Sequence, residues 1–152
     1  MKAYRTYERK EALSISFPAT LKNVDRVCEK VKLLSKENGF AHASFAIQLL
    51  LRELLDNAVL HGNNGDPEKL VKYKMRWDHS NALKITVEDE GDGFDWRGRM
   101  EKKVSCRSGS GRGIAIMKQY GKEIRFNRKG NKVAIMIDVS QGGACGKDNT
   151  GC

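Results

Sequence analysis

The spacing of apolar residues changes along the chain and predicts which segments form strands and which form helices. Residues 13–17 alternate between apolar and polar side chains, which predicts a strand that ends at Pro18. A helical spacing follows, with Thr20 placed as its cap and Asn38-Gly39 as its stop. A second helix is predicted over residues 44–62. Its apolar stripe consists of Ile47, Leu50, Leu51, Leu54, Leu55 and Ala58.

The second half of the chain shows the two-residue period of β-hairpins. Two hairpins are predicted, with strands at 70–77 and 83–87 and at 123–126 and 132–139. A glycine-rich basic loop, 89–113, and a short predicted helix, 114–120, separate them. This order predicts an α+β sandwich of two layers, a mostly antiparallel sheet covered on one face by helices.

Length and composition indicate one soluble domain. The chain has 152 residues, of which 39% are hydrophobic and 31% charged. We expect a flexible N-terminal segment at 1–10, one folded domain at 11–140 and a disordered glycine- and cysteine-containing tail at 141–152. No stretch is apolar enough to span a bilayer and no secretory signal is visible, so we expect a cytoplasmic protein without a membrane partner. The four cysteines lack the spacing of zinc or redox motifs and are expected to be reduced thiols.

The net charge is +9, and the charged residues are unevenly distributed along the chain. Residues 11–95 carry eleven basic and fourteen acidic side chains, whereas residues 96–132 carry twelve basic and two acidic ones. A basic region of this kind suits a polyanion, either a nucleic acid or the phosphates of a nucleotide. A solvated surface that keeps the protein soluble gives the same pattern, so charge alone leaves these alternatives open.

The second predicted helix carries a ridge of polar residues along the margin of its apolar stripe. Glu53, Asn57 and His61 follow one another at spacings of four. A carboxylate and a carboxamide oxygen on such a ridge are able to meet a hard cation and a water molecule together. An ordinary half-exposed helix edge has the same appearance.

An acidic, glycine-containing segment follows the strand predicted at 83–87. Asp89 stands at the strand end, where its carboxylate is able to accept a hydrogen bond from the amino group of adenine. Gly91 and Gly93 allow the main chain to approach a flat ligand closely. A plain acidic turn is the alternative, while a calcium loop is excluded by its spacing.

A glycine-rich segment at 108–114 precedes the short predicted helix. Gly109, Gly111 and Gly113 expose main-chain N–H groups beside a helix N-terminus, an arrangement that binds phosphate, and Arg112 is placed to neutralise a terminal phosphate. The segment is neither a Walker A loop nor a Rossmann turn, and a flexible hinge is the alternative.

Taken together, the three segments resemble the nucleotide-binding boxes of the GHKL ATPases. Residues 53–57 resemble the N box, Asp89-x-Gly91-x-Gly93 the G1 box, and Gly109-x-Gly111-x-Gly113 the G2 box. The resemblance covers about residues 11–140 and implies the Bergerat-type sandwich of that superfamily.

Within the superfamily the chain looks most like anti-sigma factor serine kinases of the RsbW and SpoIIAB type. The resemblance implies that Asn57 coordinates Mg²⁺, Glu53 is the general base and Asp89 binds adenine. Residues that would frame ATP by the same resemblance are Gly91, Gly93, Gly109, Ser110, Gly111, Arg112, Gly113 and Ile114. His61 and Asn63 are placed to reach phosphate or solvent.

The same resemblance implies a reaction and its partners. The γ-phosphoryl group of ATP would pass to a serine of an anti-anti-sigma (STAS) protein, a sigma factor would be the sequestered client, and the chain would form a homodimer. One alternative is an ATP-binding signalling module without phosphotransfer. Another is a nucleic-acid binder, which we do not expect because basic residues are not interleaved with aromatic ones.

Overall fold

The computed structural model describes residues 2–78, 80–93 and 121–140, which form six strands and two α-helices. The strands are β1 Arg5–Arg9, β2 Ala12–Pro18, β3 Leu70–Trp77, β4 Ala82–Glu88, β5 Gly121–Phe126 and β6 Lys132–Asp138. The helices are α1 Leu21–Glu37 and α2 Ser44–Asn57. A short 3₁₀ turn, Ala41–Ala43, leads into α2, and a π-helical turn, Ala58–Gly62, continues it.

All six strands form one antiparallel sheet. Their order is β1-β2-β3-β4-β6-β5. The predicted hairpins are confirmed as β3 with β4, where Met75 pairs with Ile85, and β5 with β6, where Ile124 pairs with Ile135. The predicted α+β class with a mostly antiparallel sheet is therefore confirmed.

One face of the sheet and the apolar stripes of both helices form a continuous core. Alternate residues of β2, β3, β4 and β6 point towards the helices and are buried, as the two-residue period predicts. The largest fully buried side chains include Phe17, Leu50, Leu54, Tyr73, Met75 and Leu83. This burial fixes the position of α2, and the predicted N-box residues are on that helix.

Helix α1 begins and ends where its sequence signals predict. The N–H of Asn23 donates to the hydroxyl of Thr20 at 3.2 Å, which caps the first turn. At the other end, the side chain of Asn38 donates to the carbonyl of Leu34 at 2.8 Å, and Gly39 leaves the helix with φ of +84°.

The first ten residues correct the expectation of a flexible segment. Residues 5–9 form β1, which pairs along its whole length with β2. Contacts with α1 hold this strand, because Glu8 forms an ion pair with Lys30 at 2.8 Å and the guanidinium of Arg26 lies 3.7 Å from the ring centre of Tyr4. The strand was missed because all five of its residues are exposed, so they have no apolar alternation.

Several predictions lie outside the described residues. These are residues 94–113 of the basic loop, the short helix at 114–120, the tail at 141–152 and three of the cysteines. Cys28 is described and is a buried free thiol, and burial raises its pKa to about 11. Within the described ranges, no helix combines the length and the apolar content needed to cross a membrane.

Candidate functional site

The end of α2 brings together Asn57, which is expected to bind Mg²⁺, and Glu53, which is expected to accept a proton. The amide nitrogen of Asn57 donates to Oε1 of Glu53 at 3.3 Å, as the spacing of four residues predicts. Asn57 is only 5% exposed, whereas Glu53 is half-buried. Because the amide nitrogen is engaged by Glu53, the carbonyl oxygen Oδ1 of Asn57 is the end left for a ligand.

A π-helical turn, Ala58–Gly62, follows Asn57 directly. The N–H of Asn63 bonds to the carbonyl of Ala58, five residues earlier, at 2.8 Å. This wider turn interrupts the ridge that regular helical spacing predicts, since Asn57 is buried while His61 is exposed. The predicted ridge is therefore found for Glu53 and Asn57, whereas His61 does not continue it.

The loop after β4 presents the carboxylate of Asp89 at the edge of the core. The N–H of Asp89 donates to the carbonyl of Asn131 at 2.9 Å, and its own carbonyl accepts from the side chain of Asn131 at 2.8 Å. Oδ1 of Asp89 accepts from the N–H of Gly91 at 2.7 Å. Both the main chain and one carboxylate oxygen are thus held, and Oδ2 is left as an acceptor.

The protonation of Asp89 reflects its burial. Asp89 is 6% exposed, and removal from water raises the pKa of its carboxyl, while the N–H of Gly91 opposes that rise. A buried carboxylate of this kind gains more from a hydrogen-bond donor than a solvated one does. The site is therefore suited to an amino group supplied by a ligand.

Close contacts at Gly62 and Gly91 join the two parts of the site. A Cβ atom on Gly62 would lie 2.3 Å from the carboxylate of Asp89, and one on Gly91 would lie 1.8 Å from the carbonyl oxygen of Gly62. Only glycine fits at these two positions. The π turn after Asn57 and the loop after Asp89 are consequently neighbours in space, although they are far apart in sequence.

The side chain of Asn63 bonds to main-chain groups of the protein, whereas the sequence places it to reach phosphate or solvent. Its side chain is fully buried, donates to the carbonyl of Leu70 at 3.0 Å and accepts from the N–H of Glu90 at 2.9 Å. Both ends of the amide are thereby occupied by main-chain groups. Asn63 positions the loop that carries Asp89 and Gly91.

The remaining predicted site residues divide between the described and undescribed parts of the chain. Gly93 has φ of +109°, and a Cβ atom there would lie 1.8 Å from the carbonyl oxygen of Lys129, so its backbone requires glycine. Gly109, Ser110, Gly111, Arg112, Gly113 and Ile114 lie outside the described residues.

Three contributors to the site were missed by sequence reasoning. In the sequence, Gly62 signals only a helix end, Asn131 only a turn, and Glu90 only an acidic segment. The carboxylate of Glu90 accepts from the N–H of Leu70 at 2.7 Å and pairs with Lys2 at 2.9 Å, which ties the loop to β3 and to the N-terminus. These contacts join distant segments, so no local spacing signals them.

The oxygen atoms of this site are sufficient for a magnesium ion that is held mainly by the phosphates of a nucleotide. Within the described residues, no three acidic, histidine or cysteine side chains are grouped as a metal site. Mg²⁺ is usually bound through one or two protein oxygens together with phosphates and waters. Oδ1 of Asn57, on a buried amide oriented by Glu53, meets that requirement.

Comparison with known proteins agrees with the fold. A sequence model of the histidine kinase-like ATPase domain matches residues 17–137, which is more than half of the chain. The chain therefore belongs to the histidine kinase-like (GHKL) ATPase family. Such domains bind ATP, usually together with Mg²⁺.

A solved structure supports the same fold. The histidine kinase domain of the blue-light activated histidine kinase from Erythrobacter litoralis EL346 matches with a TM-score of 0.53 and 22% identity. The match covers 82% of this chain but only 62% of that one, and at this identity it concerns the fold alone. No curated protein matches the chain significantly.

Proposed function

We propose that this chain is an ATP-binding anti-sigma regulatory factor with serine kinase activity, acting on a STAS-domain partner and sequestering a sigma factor. The observation that carries the proposal is the pairing of Glu53 and Asn57 at the end of α2, together with the buried carboxylate of Asp89, which lies against Gly62 of the turn that follows α2. Family membership supports ATP as the ligand. The kinase and anti-sigma functions depend on the likeness of the three motifs to the RsbW and SpoIIAB type.

Asp89 provides the means to select adenine. Its Oδ2 is able to accept a hydrogen bond from the adenine amino group, whereas the keto oxygen of guanine would face the carboxylate with a second acceptor. Because the carboxylate is buried, a missing donor would be costly. We therefore expect ATP to be preferred over GTP.

Asn57 and Glu53 provide the means for phosphoryl transfer. Oδ1 of Asn57 would hold Mg²⁺, which when bound neutralises charge on the phosphate oxygens. Glu53 would accept the proton of the incoming serine hydroxyl as the serine oxygen bonds to the γ-phosphorus, while the bond from that phosphorus to the bridging oxygen breaks and ADP leaves. The hydrogen bond from Asn57 orients Glu53 for this task.

The experiment is a phosphotransfer assay with radioactive ATP, Mg²⁺ and purified STAS-domain proteins carrying a serine acceptor. We expect the wild type to label its partner, and Glu53→Gln to bind ATP but transfer phosphate at least about a hundredfold more slowly, since general bases contribute factors of that size. Substitution of the acceptor serine by alanine is the control for specific labelling.

The outcomes separate the proposal from its alternative. If the wild type binds Mg-ATP and labels no STAS protein, the chain is an ATP-binding signalling module that works by nucleotide-dependent interaction. Equal transfer by the wild type and Glu53→Gln would remove Glu53 from the role of general base.

A further inference from the structure

The side of the sheet that faces away from the helices carries a groove lined by cations. We call this side the open face and define it by Ser14, Lys74 and Lys84, whose strand neighbours point into the core. Two concavities, of about 750 and 360 Å³, lie on it and share Tyr7, Ser14 and Lys74. They therefore form one continuous depression along β2, which we call the basic groove.

Strand register explains the shape of the basic groove. Three rungs cross it from β1 through β2 to β3: Arg5-Ser16-Lys72, Tyr7-Ser14-Lys74 and Arg9-Ala12-Arg76. In each rung a small side chain on β2 forms the floor between two long ones. The two walls are about 10 Å apart, and successive rungs are separated by about 7 Å.

Most cations of the groove form no ion pair with a described residue. Lys72 pairs with Glu88 at 3.6 Å, but within the described part of the chain Arg5, Lys74, Arg76 and Lys84 make no ion pair. These side chains are exposed. Lys84 extends the cation row onto β4, opposite Arg76. The groove therefore carries a concentrated positive charge that suits a polyanion.

One aromatic side chain accompanies the cations. Tyr7 stands in the middle rung and is 56% exposed, whereas the ring of Trp77, at one end of the groove, packs edge-on against Phe40 on the core side of the sheet. The guanidinium of Arg9 lies 5.1 Å from the ring centre of Tyr7 and donates to its hydroxyl at 2.7 Å. A positive groove that contains aromatic rings is the usual arrangement for binding a single-stranded nucleic acid.

The fold disfavours other occupants. A peptide that adds a strand gains its affinity from main-chain hydrogen bonds. Here β2 lies under the groove and is already paired with β1 and β3 along its length, so a peptide would find no free main chain there. A second copy of this face would bring like charges together. Glu11 and Asp78 border one end of the groove, so the positive charge is concentrated towards Arg5 and Lys74.

We propose that the basic groove binds single-stranded nucleic acid, with phosphates on the cations of β1, β3 and β4 and a base stacked on Tyr7. This reverses the expectation drawn from the sequence, which is that the chain does not bind nucleic acid. The groove lies on the opposite side of the sheet from Asp89 and Asn57, so the proposal does not depend on the proposed function.

The test is fluorescence anisotropy of the full chain with labelled strands of ten uridines or ten thymidines. Affinity should fall as salt rises, with a slope reduced by about 1.4 in the Lys74→Ala/Arg76→Ala variant, because each phosphate contact contributes about 0.7. Tyr7→Ala should bind about tenfold more weakly with an unchanged slope, since stacking is insensitive to salt. Binding of either oligonucleotide with this pattern supports the proposal.

The matched control is Lys32→Ala/Lys36→Ala, which removes the same charge from exposed positions of α1. An equal loss of affinity in the control and groove variants would overturn the proposal, because general charge would then explain the binding. Displacement of the oligonucleotide by a peptide of ten glutamates, with Tyr7→Ala neutral, would assign the groove to an acidic protein instead. Circular dichroism and ATP affinity of each variant verify that it remains folded.

Discussion

The two sides of the sheet differ in whether their polar groups are buried or exposed. On the helix-covered side, the buried polar residues Asn57, Asn63 and Asp89 are hydrogen-bonded within the protein. On the open face, Lys74, Arg76 and other cations are exposed. Buried, bonded groups hold one geometry, whereas exposed charges produce a field that tolerates movement. The first arrangement suits a specific ligand and the second suits a flexible polymer.

This comparison predicts that substitutions on the helix-covered side have the larger effects, beginning with Gly91→Ala. The new Cβ would lie 1.8 Å from the carbonyl oxygen of Gly62, so one main chain must move. We expect a loss of about 3 kcal/mol in the free energy of unfolding, measured with denaturant, together with loss of ATP binding.

Gly39→Ala is the control for Gly91→Ala. Gly39 has φ of +84° but nothing within 4 Å of its would-be Cβ, so only backbone strain of about 1 kcal/mol is expected, with ATP binding retained. Equal effects of the two substitutions would show that the contact with Gly62 is unimportant.

Asn63→Ala should have the next largest effect. It leaves the part-buried carbonyl of Leu70 and the N–H of Glu90 without their side-chain partner, which should cost about 2 kcal/mol of unfolding free energy. ATP affinity, measured by calorimetry, should weaken several-fold because the loop that carries Asp89 is loosened.

Asn131→Ala is the comparison for Asn63→Ala. Asn131 is less buried; its side chain donates to the carbonyl of Asp89 and accepts only from the exposed side chain of Asn127, so about 1 kcal/mol is expected. The reverse order of the two losses would contradict the positioning role of Asn63.

Neutralising Asp89 on the helix-covered side and Asp138 on the open face should change the stability of the fold in opposite directions. Burial raises the pKa of Asp89 above 3.8, so its charge reduces stability as pH rises through the raised value. On the open face, bonds from Ser140 and Lys122 lower the pKa of Asp138 to about 2, so its contribution is present above 3.8 and lost as pH falls towards 2.

Thermal unfolding therefore tests whether the charge on each carboxylate lowers or raises the stability of the fold. At neutral pH, Asp89→Asn should raise Tm while abolishing ATP binding, and Asp138→Asn should lower Tm while leaving ATP binding unchanged. At about pH 3 the gain from Asp89→Asn should disappear, because that carboxyl is then protonated in both states. A decrease in Tm for Asp89→Asn at neutral pH would contradict the assigned cost of burial.

The smallest effect is expected from Lys84→Ala on the open face. The side chain is exposed and forms no ion pair within the described ranges, so the free energy of unfolding should change by less than about 0.5 kcal/mol. ATP affinity should be unchanged. A substantial loss of ATP affinity would mean that the two sides of the sheet are coupled.

Much of the fold could be predicted because its signals are local. Alternation in β2, β3, β4 and β6 and the cap at Thr20 depend on neighbouring residues, and the structure confirms them. Strand β1 was missed because it is exposed and held by distant contacts with α1.

The candidate site was predictable only in part, for the same reason. The spacing of Glu53 and Asn57 on one helix predicts their contact, and the strand end predicts the position of Asp89. The π turn, the contact of Gly62 with Asp89 and the bonds of Asn63 depend on segments that meet only in the folded chain. The basic groove likewise arises from register between β1 and β3 and not from a run of charge.

Calorimetric titration of Mg-ATP into the wild type and Asn57→Ala tests the central claim most directly. The account predicts saturable binding by the wild type, weakened at least about a hundredfold in Asn57→Ala, since even groups that only orient a metal ligand change affinity by ten- to a hundredfold. Equal affinity of the two proteins, or no heat of binding in the wild type, would contradict it.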